Sequence, residues 1–519
     1  MSGLTVPRDP RPGPDWRQST SKTTECQPLE IPAATLYHEE IVPFPTGCTV
    51  RRFRRSIPLI ILLTLLPFAA RPQGPELRQR IIGSAFAESQ AHRVLERLTD
   101  EAGGRLTGSP QDERGLRILS EELKAIGLHP TLEPFTMPGW IRGDDELLVT
   151  DPFPRRLRSA ALGYTDSLPA FEDTVVVAGY GYPEEFAAAR ARGNIAVVSS
   201  VPPQGKPSLL RTEVIRNAAA AGARALCFIN DKPGGLLMCG VANFQGKPAP
   251  IPAFSITFEE GSWIERLWRR SITVTMRITT RSRCAPTPTA NLSVSVPGTS
   301  GRTIVVGAHA DGWDIGQGGV DNGFGSAVLF DVARILALHA GKSAHTITLV
   351  WFNGEEQGLW GSTEYVRRHA GEPLLAMVNL DMTGSPRGFN AGGFSETIPL
   401  LESVARELEG FALRKEAWNS PGTNSDHQPF MLRGIPSVSV SGRLDPEKVR
   451  YYHDFGDTFD KVDPKSLAEA SAVVAVLVQA MANADPGVFK TKSPAEVAAM
   501  LRMSNLDTHL KKQQQWPFD

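Results

Sequence analysis

Residues with the chemistry of metal ligands follow apolar runs in the C-terminal half of the chain. His309 comes after the apolar run 303–307, and two carboxylates, Glu355 and Glu356, come after the run 346–352. Short apolar runs of this kind are typical of buried strands. Imidazole nitrogens and carboxylate oxygens are ligands that bind divalent ions such as zinc. The pattern therefore indicates a metal-activated water and hydrolytic chemistry.

Further side chains of the same types complete a candidate ligand set of two imidazoles and three carboxylates: His309, Asp321, Glu356, Asp381 and His453. Asp381 closes the run 375–380, and His453 lies in the loop after the run 437–440. Five ligands exceed the three protein ligands usual for one catalytic zinc ion. Two ions that share one carboxylate would use all five. We therefore expect two zinc ions, with manganese or cobalt as substitutes.

The paired glutamates and a nearby aspartate supply the remaining catalytic groups. In extended backbone, adjacent side chains such as Glu355 and Glu356 point to opposite sides. One can then bind metal while the other acts as general base, a role that contributes typically ~10²–10⁴-fold. Asp311, two residues beyond His309, is placed to orient that imidazole from behind. Either pair alone would be an ordinary surface feature, so the interpretation depends on the whole set.

The elements that must position these side chains alternate regularly between strand and helix. Strands are predicted at 303–307, 346–352, 375–380 and 437–440. Helices are predicted at 323–340, 358–369, 395–408 and 464–483. Such alternation predicts an α/β fold with a mostly parallel central sheet and helices on both faces. In open sheets of this kind, ligands bind outside the carboxyl ends of the strands.

A separate unit is predicted for residues 162–285. Compact strands at 174–178, 194–199 and 225–229 surround an Ala-rich helix at 211–221. The Pro-rich stretch 284–288 is predicted to be the exit linker. Two or three domains also suit a chain of 519 residues. Because 55 basic residues nearly balance 56 acidic ones, nucleic acid is excluded as a partner.

The N-terminal region has the composition of a targeting segment. Residues 1–49 are polar and without periodicity, which predicts disorder. The basic cluster 51–55 precedes the apolar run 57–70, the pattern of a signal peptide, with a weak cleavage point after Ala69. An uncleaved membrane anchor is the alternative. Since a signal peptide belongs at the extreme N-terminus, we expect the native start near Val50 and a secreted or periplasmic protein.

The expected division of the chain has six parts. They are a disordered extension (1–49), a signal peptide or anchor (50–74), a catalytic domain in two parts (75–161 and 286–486), the inserted unit (162–285) and a tail (487–519) without an assigned role. Three cysteines, Cys227, Cys239 and Cys284, follow the signal. One disulfide with a free thiol and three buried thiols are equally open.

The same residues give the chain its resemblance to a known family. The motifs read GRLTGS at 104–109, MPGWIRG at 137–143, HADGWDIGQGGVDNG at 309–323, NGEEQG at 353–358, NLD at 379–381, SDHQPF at 425–430 and HDFGDTFDKV at 453–462. They resemble the zinc exopeptidase family of the aminopeptidase Y and plasma glutamate carboxypeptidase type. The resemblance covers most of residues 90–485 and is highly specific.

The resemblance implies a role for each candidate residue. His309 and Asp381 would hold one zinc ion, Glu356 and His453 would hold the other, and Asp321 would bridge the two. Glu355 would be the general base and Asp311 the carboxylate that orients His309. Unit 162–285 would be a protease-associated domain beside the cleft. One departure is Asn322, where relatives often carry a second aspartate.

The function expected from the resemblance is hydrolysis of short peptides or dipeptides. The alternatives are a non-catalytic receptor or scaffold on the same fold and a glutaminyl-cyclase-like acyltransferase. Aminopeptidase, dipeptidase and carboxypeptidase activities remain open, because Arg387, Arg433 and Arg443 are weak candidates for a carboxylate clamp. Neither Tyr451 nor Tyr452 receives a role. Short peptides are the expected partners, a membrane only if the apolar run is an anchor, and a homodimer stays open.

Overall fold

The computed structural model describes residues 74–339, 341 and 343–518. The predicted disordered extension, the apolar run 57–70 and the suggested cleavage point lie outside these residues. Within the described ranges, no helix is both long enough and apolar enough to cross a membrane.

The helices are distributed along the whole described chain. Their bounds are α1 Pro75–Ala87, α2 Ala91–Glu96, α3 Pro110–Ala125, α4 Pro183–Ala188, α5 Arg211–Ala220, α6 Phe258–Arg269, α7 Phe324–His339, α8 Trp360–Arg368, α9 Ile398–Glu407, α10 His427–Leu432, α11 Pro446–Val449, α12 Pro464–Met481, α13 Pro494–Met503 and α14 Leu506–Lys512.

The strands fall into two sheets. Their bounds are β1 Thr131–Ile141, β2 Glu146–Asp151, β3 Arg155–Arg156, β4 Ser159–Ala161, β5 Leu168–Val177, β6 Ile195–Ser199, β7 Ala225–Ile229, β8 Ala253–Ile256, β9 Thr275–Thr280, β10 Arg283–Val296, β11 Thr303–His309, β12 Thr346–Phe352, β13 Leu374–Asn379, β14 Ser385–Asn390 and β15 Ser437–Arg443.

The first sheet has seven strands among the described residues, in the order β1-β10-β12-β11-β13-β15-β14. Its four adjacent strands β12, β11, β13 and β15 are parallel, and the outer strands pair antiparallel. The predicted mostly parallel central sheet is therefore confirmed. Because its parallel strands are joined by helices, their carboxyl ends meet at one edge.

Helices cover both faces of this sheet, as its sequence requires. Ile304 and Val306 of β11 belong to the large core beneath α7 and α12, whereas Val305 packs with Phe430 and Tyr365 of the smaller core beneath α8 and α10. Alternate residues of a strand face opposite sides. A strand with helices on both faces must therefore be apolar throughout, as this one is.

The second sheet is built from residues 146–280, in the order β3-β2-β9-β5-β6-β7-β8-β4. Strands β5 to β8 are parallel, with α4 and α5 between successive strands. Short strands β2 to β4, which precede residue 162, also belong to it. The carboxyl ends of its parallel strands form a second edge, at which α5 begins.

The predicted exit linker at 284–288 is wrong, because these residues form part of strand β10. Cys284 pairs with Trp140 of β1, and Pro286 pairs with Pro138. Strand β12 contacts β10 only from Leu292 onward. The prolines thus lie where β10 has a neighbour on one side alone, so their missing N–H groups break no ladder on the other side.

Candidate metal centre

The carboxyl edge of the first sheet brings together three of the predicted loops. His309 is the last residue of β11, Glu355 and Glu356 lie just beyond β12, and Asp381 lies two residues beyond β13. The two glutamates occupy a turn and not extended backbone, because Gly354 has a φ of +80°. The prediction of extended backbone at these two residues is therefore wrong.

The other two candidate ligands come from loops that close over this edge. Asp321 lies in the segment Gly319–Gly323 that leads into α7, and its own backbone is non-helical, with a φ of −117° and a ψ of 94°. His453 follows α11, in the loop after β15, with a left-handed φ of +55°. Both positions depend on long-range contacts, which are described below.

The five side chains form two groups that share Asp321. In the first group, His309 Nε2 lies 3.2 Å from Asp321 Oδ1 and 3.7 Å from Asp381 Oδ1. In the second group, His453 Nε2 lies 3.0 Å from Asp321 Oδ2 and 3.0 Å from Glu356 Oε2. Within each group, all ligand atoms lie within 4.8 Å of one another. Each oxygen of Asp321 thus faces a different group.

The field at this cluster is strongly negative. Burial would lower the pKa of His453, yet Glu356 and Asp321 raise it to about 10. The pKa of His309 is also well above its ordinary value, since Glu355 and its neighbours outweigh burial. Burial raises the pKa of Glu356 to about 7 and that of Glu355 well above the usual range. Such a site favours added positive charge.

These residues fit a pair of divalent ions. Each group offers one imidazole nitrogen and carboxylate oxygens, a set that suits zinc. Glu356 Oε1 is buried and has no hydrogen-bond partner among the described residues. A buried charged oxygen without a partner is costly, and a coordinated cation would remove that cost.

Asp311 lies behind both His309 and the paired glutamates. His309 Nδ1 donates to the Asp311 carbonyl at 3.2 Å, which leaves Nε2 free to face the cluster. The Asp311 carboxylate accepts the backbone N–H groups of Glu355 and Glu356, both at 3.3 Å. The hydroxyl of Thr107 donates to it at 2.8 Å. This carboxylate therefore fixes the base and one ligand relative to the imidazole.

Several supporting residues were not predicted from the sequence. Asp457 accepts the N–H groups of Val320 at 2.7 Å and Asp321 at 3.0 Å. Ser425 donates to Asp381 Oδ2 at 2.6 Å. Both residues lie within motifs quoted above, but their partners are 44 to 137 residues away in sequence. Spacing alone could not have paired them.

Arg105 holds the loop between His309 and Asp321. Its guanidinium is 1% exposed and donates to the carbonyls of Ala310 at 2.8 Å, Gln317 at 2.7 Å and Gly318 at 3.0 Å. Burial lowers the pKa of Arg105. The loop carbonyls thereby replace water around this cation.

Asn322, the departure from the family pattern, is fully satisfied away from the cluster. Its Nδ2 donates to the Leu380 carbonyl at 2.8 Å, and its Oδ1 accepts the N–H of Gly325 at 3.1 Å. Its side chain thus connects the ligand turn to the loop of Asp381. An amide can donate and accept at once, which a carboxylate cannot do.

Tyr452 lies against the second group. Its ring stacks on the ring of His453, with centroids 3.7 Å apart. Burial and the cluster carboxylates, Asp321 first, raise its pKa well above the ordinary value, so the phenol keeps its proton. Tyr451 instead packs near Lys461 and Arg450.

A different arginine from those expected stands near this centre. Arg387 and Arg443 line one cavity of about 370 Å³, and Arg433 lines another. Arg211, at the start of α5, packs against Gly240, where a Cβ would overlap its guanidinium. Burial lowers the pKa of Arg211, and the neighbouring Tyr452 and Cys239 oppose that shift. Within the described ranges it forms no hydrogen bond or ion pair.

Cys227, Cys239 and Cys284 are all free thiols, which excludes the disulfide alternative among them. Cys239 nevertheless has a part in the site, through its backbone. Its carbonyl accepts from His453 Nδ1 at 3.3 Å, and its N–H donates to the His453 carbonyl at 2.9 Å.

Comparison with known proteins agrees with this architecture. The sequence profile of peptidase family M28 matches residues 291–478, and the PA domain profile matches residues 171–264. The chain carries an M28 metallo-exopeptidase domain with an inserted PA domain. The family resemblance, the fold class and the enzyme class predicted from the sequence are therefore confirmed.

The curated relatives that match both domains are named for two different activities. Carboxypeptidase Q of Mus musculus is 25% identical over 427 residues, covering 79% of this chain and 90% of that protein. Aminopeptidase YwaD of Bacillus subtilis (strain 168) is 26% identical over 438 residues, covering 81% and 90%. The relatives thus leave open which peptide terminus this chain reads.

Solved structures share the fold of the M28 and PA domains. The peptidase M28 precursor from Shewanella amazonensis SB2B gives a TM-score of 0.69 at 23% identity, covering 80% of this chain and 98% of that one. BSAP, a zinc aminopeptidase from Bacillus subtilis, gives 0.62 at 22% identity, covering 75% and 93%.

Proposed function

We propose that this chain hydrolyses the terminal bond of short peptides with two zinc ions. His309 and Asp381 would hold one ion, Glu356 and His453 the other, and Asp321 both. The observation that supports this most directly is the position of Asp321 between the two groups. One of its carboxylate oxygens lies 3.2 Å from His309 Nε2, and the other lies 3.0 Å from His453 Nε2. When bound, such a pair lowers the pKa of a water and polarises the substrate carbonyl.

The chain's own residues supply the proton transfers. Glu355 is the general base, which takes the proton of the attacking water and returns it to the leaving amine. Burial raises the pKa of Glu355, which suits a group that must both accept and release a proton. Tyr452 keeps its phenol proton and stands beside His453, so it can donate to the substrate oxygen as negative charge develops there.

The first test is hydrolysis of free dipeptides by the full chain and by the Glu355→Gln variant. The substitution keeps the side-chain shape but cannot accept a proton, so we expect kcat to fall by about 10²–10⁴-fold with unchanged zinc content. The exposed Glu409→Gln variant is the matched control. If dipeptides are not cleaved although two ions are bound, the peptidase proposal fails. Cyclisation of N-terminal glutamine would then be assayed as the alternative acyl transfer.

We also propose that Arg211 binds the free carboxylate of the substrate. It lines a cavity of about 170 Å³ at the carboxyl ends of the PA-domain strands, together with Tyr180, Ser199 and Asn230. Asn230 is 4% exposed, and its Oδ1 has no partner among the described residues. A half-buried guanidinium without an acidic partner among the described residues suits a carboxylate, which it can bind through two parallel hydrogen bonds.

Substrates blocked at one end test this carboxylate site. Arg211→Lys keeps the charge but loses the planar fork, so we expect KM for free dipeptides to rise by about 10–100-fold. Cleavage of C-amidated peptides should change little, because they carry no carboxylate. Arg387→Lys, in the other basic cavity, is the control. If N-acetylation abolishes cleavage and Arg211→Lys does not alter KM, the chain reads the N-terminus instead.

Location and domain limits complete the proposal. The basic cluster 51–55 and apolar run 57–70 support a secreted or periplasmic protein, with a membrane anchor as the alternative. We propose residues 162–285 as the PA domain, which encloses the matched range 171–264, and residues 75–161 with 286–486 as the catalytic domain. N-terminal sequencing of the secreted protein tests the first point.

A further inference from the structure

The two imidazoles of the centre are supported by different parts of the chain. His309 Nδ1 donates to the carbonyl of Asp311, which lies two residues away in the same loop. His453 Nδ1 donates to the carbonyl of Cys239, which lies 214 residues away in the PA domain. The partner of a ligand's second nitrogen fixes its tautomer and orientation and raises its basicity. The PA domain therefore supplies the acceptor for the second imidazole nitrogen in only one of the two groups, the group that contains His453.

The contact is part of a wider junction between residues 236–241 of the PA domain, here called the 236–241 segment, and the His453 loop. The N–H of Cys239 donates to the His453 carbonyl at 2.9 Å. The N–H of Leu237 donates to Asp454 Oδ2 at 2.6 Å. Asp454 is 2% exposed, so this bond to a charged acceptor is shielded from water. The segment thus holds the loop both at His453 itself and at the residue that follows it.

The junction also fixes an unfavourable backbone. His453 has a φ of +55°, a left-handed conformation that is unfavourable for a residue with a Cβ. Asp454, at the next position, contributes its side chain to the segment and its carbonyl to a close approach to Gly316. Without the segment, nothing at His453 itself would favour this conformation.

The 236–241 segment is in turn anchored within the PA domain. The N–H of Met238 donates to Ser255 Oγ of β8 at 3.0 Å, and Gly163 donates to the Gly240 carbonyl at 3.0 Å. A further contact comes from the catalytic domain, where Arg142 donates to Asp314 at 2.7 Å and to Cys239 Sγ at 3.4 Å. The position of the Cys239 carbonyl therefore follows the position of the PA-domain sheet.

We propose that the PA domain supports the second metal group, which contains His453. Its 236–241 segment positions the His453 side chain for metal binding. The inference rests on the two-ion site of the proposed function. It predicts that the Asp321, Glu356 and His453 group binds its ion only as tightly as the PA domain holds this segment. The His309, Asp321 and Asp381 group does not depend on it. Displacing the PA domain would weaken one ion and spare the other.

Gly240→Ala tests this proposal from the PA-domain side. Gly240 has a φ of +147°, a conformation that residues with a Cβ rarely adopt, so the substitution strains the Cys239–Gly240 peptide and also displaces the guanidinium of Arg211. Asp454→Ala, which removes the acceptor of Leu237, is a second variant that does not alter Arg211. Gly222→Ala is the matched control, because Gly222 is a PA-domain glycine with φ +81° that faces only the flexible side chain of Arg192.

The measurement is the zinc content of the full chain over a series of buffered free zinc concentrations. We expect two equivalents in the unaltered chain. Gly240→Ala and Asp454→Ala should each weaken one equivalent by about 10–100-fold and the other by less than about threefold. Gly222→Ala should leave both unchanged, even if it lowers the melting temperature as much. The Glu356→Gln substitution already weakens zinc binding by the same group. Adding Gly240→Ala to it should therefore lower the zinc affinity little further.

The outcomes separate this inference from the proposed function. If the unaltered chain binds fewer than two ions, the two-ion site fails and the inference fails with it. If it binds two, and both variants weaken neither equivalent or both equally, only the role of the PA domain is overturned. If one equivalent is weakened and the effect is fully additive with that of Glu356→Gln, the effect belongs to the other group. That result would also overturn the role of the PA domain.

Discussion

At the scale of single residues, Asp311 illustrates how one carboxylate can order several catalytic groups. It is fully buried and accepts the hydroxyl of Thr107 and the N–H groups of Glu355 and Glu356. Its own carbonyl accepts from His309. Because the carboxylate is charged, each of the three bonds that it accepts is stronger than a bond to a neutral acceptor.

The Asp311→Asn variant should therefore lose much more than a charge. One carboxylate oxygen becomes an NH₂ group, which would face N–H donors and leave at least one buried donor unsatisfied. We expect kcat to fall by about 10²-fold and zinc affinity by about 10-fold. Steady-state kinetics and zinc titration measure the two effects. Thr107→Val, which removes a single donor, should cost less than about 10-fold, and equal losses in both variants would contradict this role.

A second buried carboxylate makes stability depend on pH. Burial raises the pKa of Asp112 from its ordinary value of 3.8 to about 7, although Gly108 and Asn353 donate to it. The folded state therefore binds this proton more tightly than the unfolded state. The stability that it contributes is fully present below the unfolded pKa and is lost as pH rises through about 7.

Asp112→Asn should flatten that pH dependence. An amide neither gains nor loses a proton, so the variant should lose about 2–3 kcal/mol less stability than the unaltered chain between pH 5 and pH 8. Apparent melting temperatures at the two pH values, at fixed zinc content, provide the measurement. Asp331→Asn, at a buried aspartate paired with Arg334, is the control. A steeper pH dependence in Asp112→Asn would contradict the assignment.

At the scale of elements, the sequence predicted the strands that position the centre. Strand β12 was predicted at its observed bounds, because five apolar residues out of seven, buried on both faces, leave little ambiguity. Strand β10 was missed because Pro286 and Pro288 are typical of linkers. The two glutamates were expected in extended backbone, but Gly354 begins a turn there.

Ligand positions could be predicted where they follow a strand directly, as His309 and Asp381 do. What could not be predicted is the set of contacts between distant segments. Asp457 binds the Asp321 turn, and Cys239 binds His453 across 214 residues. Such pairings follow from the packing of whole elements, which local periodicity does not encode. The family resemblance supplied ligand roles but not these supports.

Arg105 offers a test of how a loop between two elements is held. Its guanidinium donates to three carbonyls of the segment that joins β11 to α7, and also to the carbonyls of Leu98 and Gly103. Lysine presents three donors at one point, so Arg105→Lys should leave buried carbonyls unsatisfied at a cost of about 3 kcal/mol. We expect a fall of several degrees in melting temperature by calorimetry, together with weaker zinc binding. Exposed Arg117→Lys is the control, and a neutral Arg105→Lys would contradict this role.

At the scale of the whole molecule, the C-terminal tail joins the two domains. No role was predicted for this tail, but α13 and α14 bury Leu501 and Leu510 against Phe394 and Met431 of the M28 domain. Lys512 lies 3.1 Å from Glu213 of the PA domain. Gln513 donates to Asn424, next to Ser425, which supports Asp381. The tail thus contacts both the M28 domain and the PA domain.

Loosening the tail should therefore affect regions beyond it. Leu510 is fully buried, so Leu510→Ala should cost about 2–5 kcal/mol through the cavity it leaves. Because α14 is tied to Asn424 and Glu213, hydrogen exchange should quicken in residues 424–428 and at the start of α5, as well as in the tail. Met503→Ala, at an 83% exposed side chain, is the control. Faster exchange confined to the tail would mean that it folds onto the M28 domain without linking the two domains, and the PA domain would then depend on Arg142 and the 236–241 segment for its position.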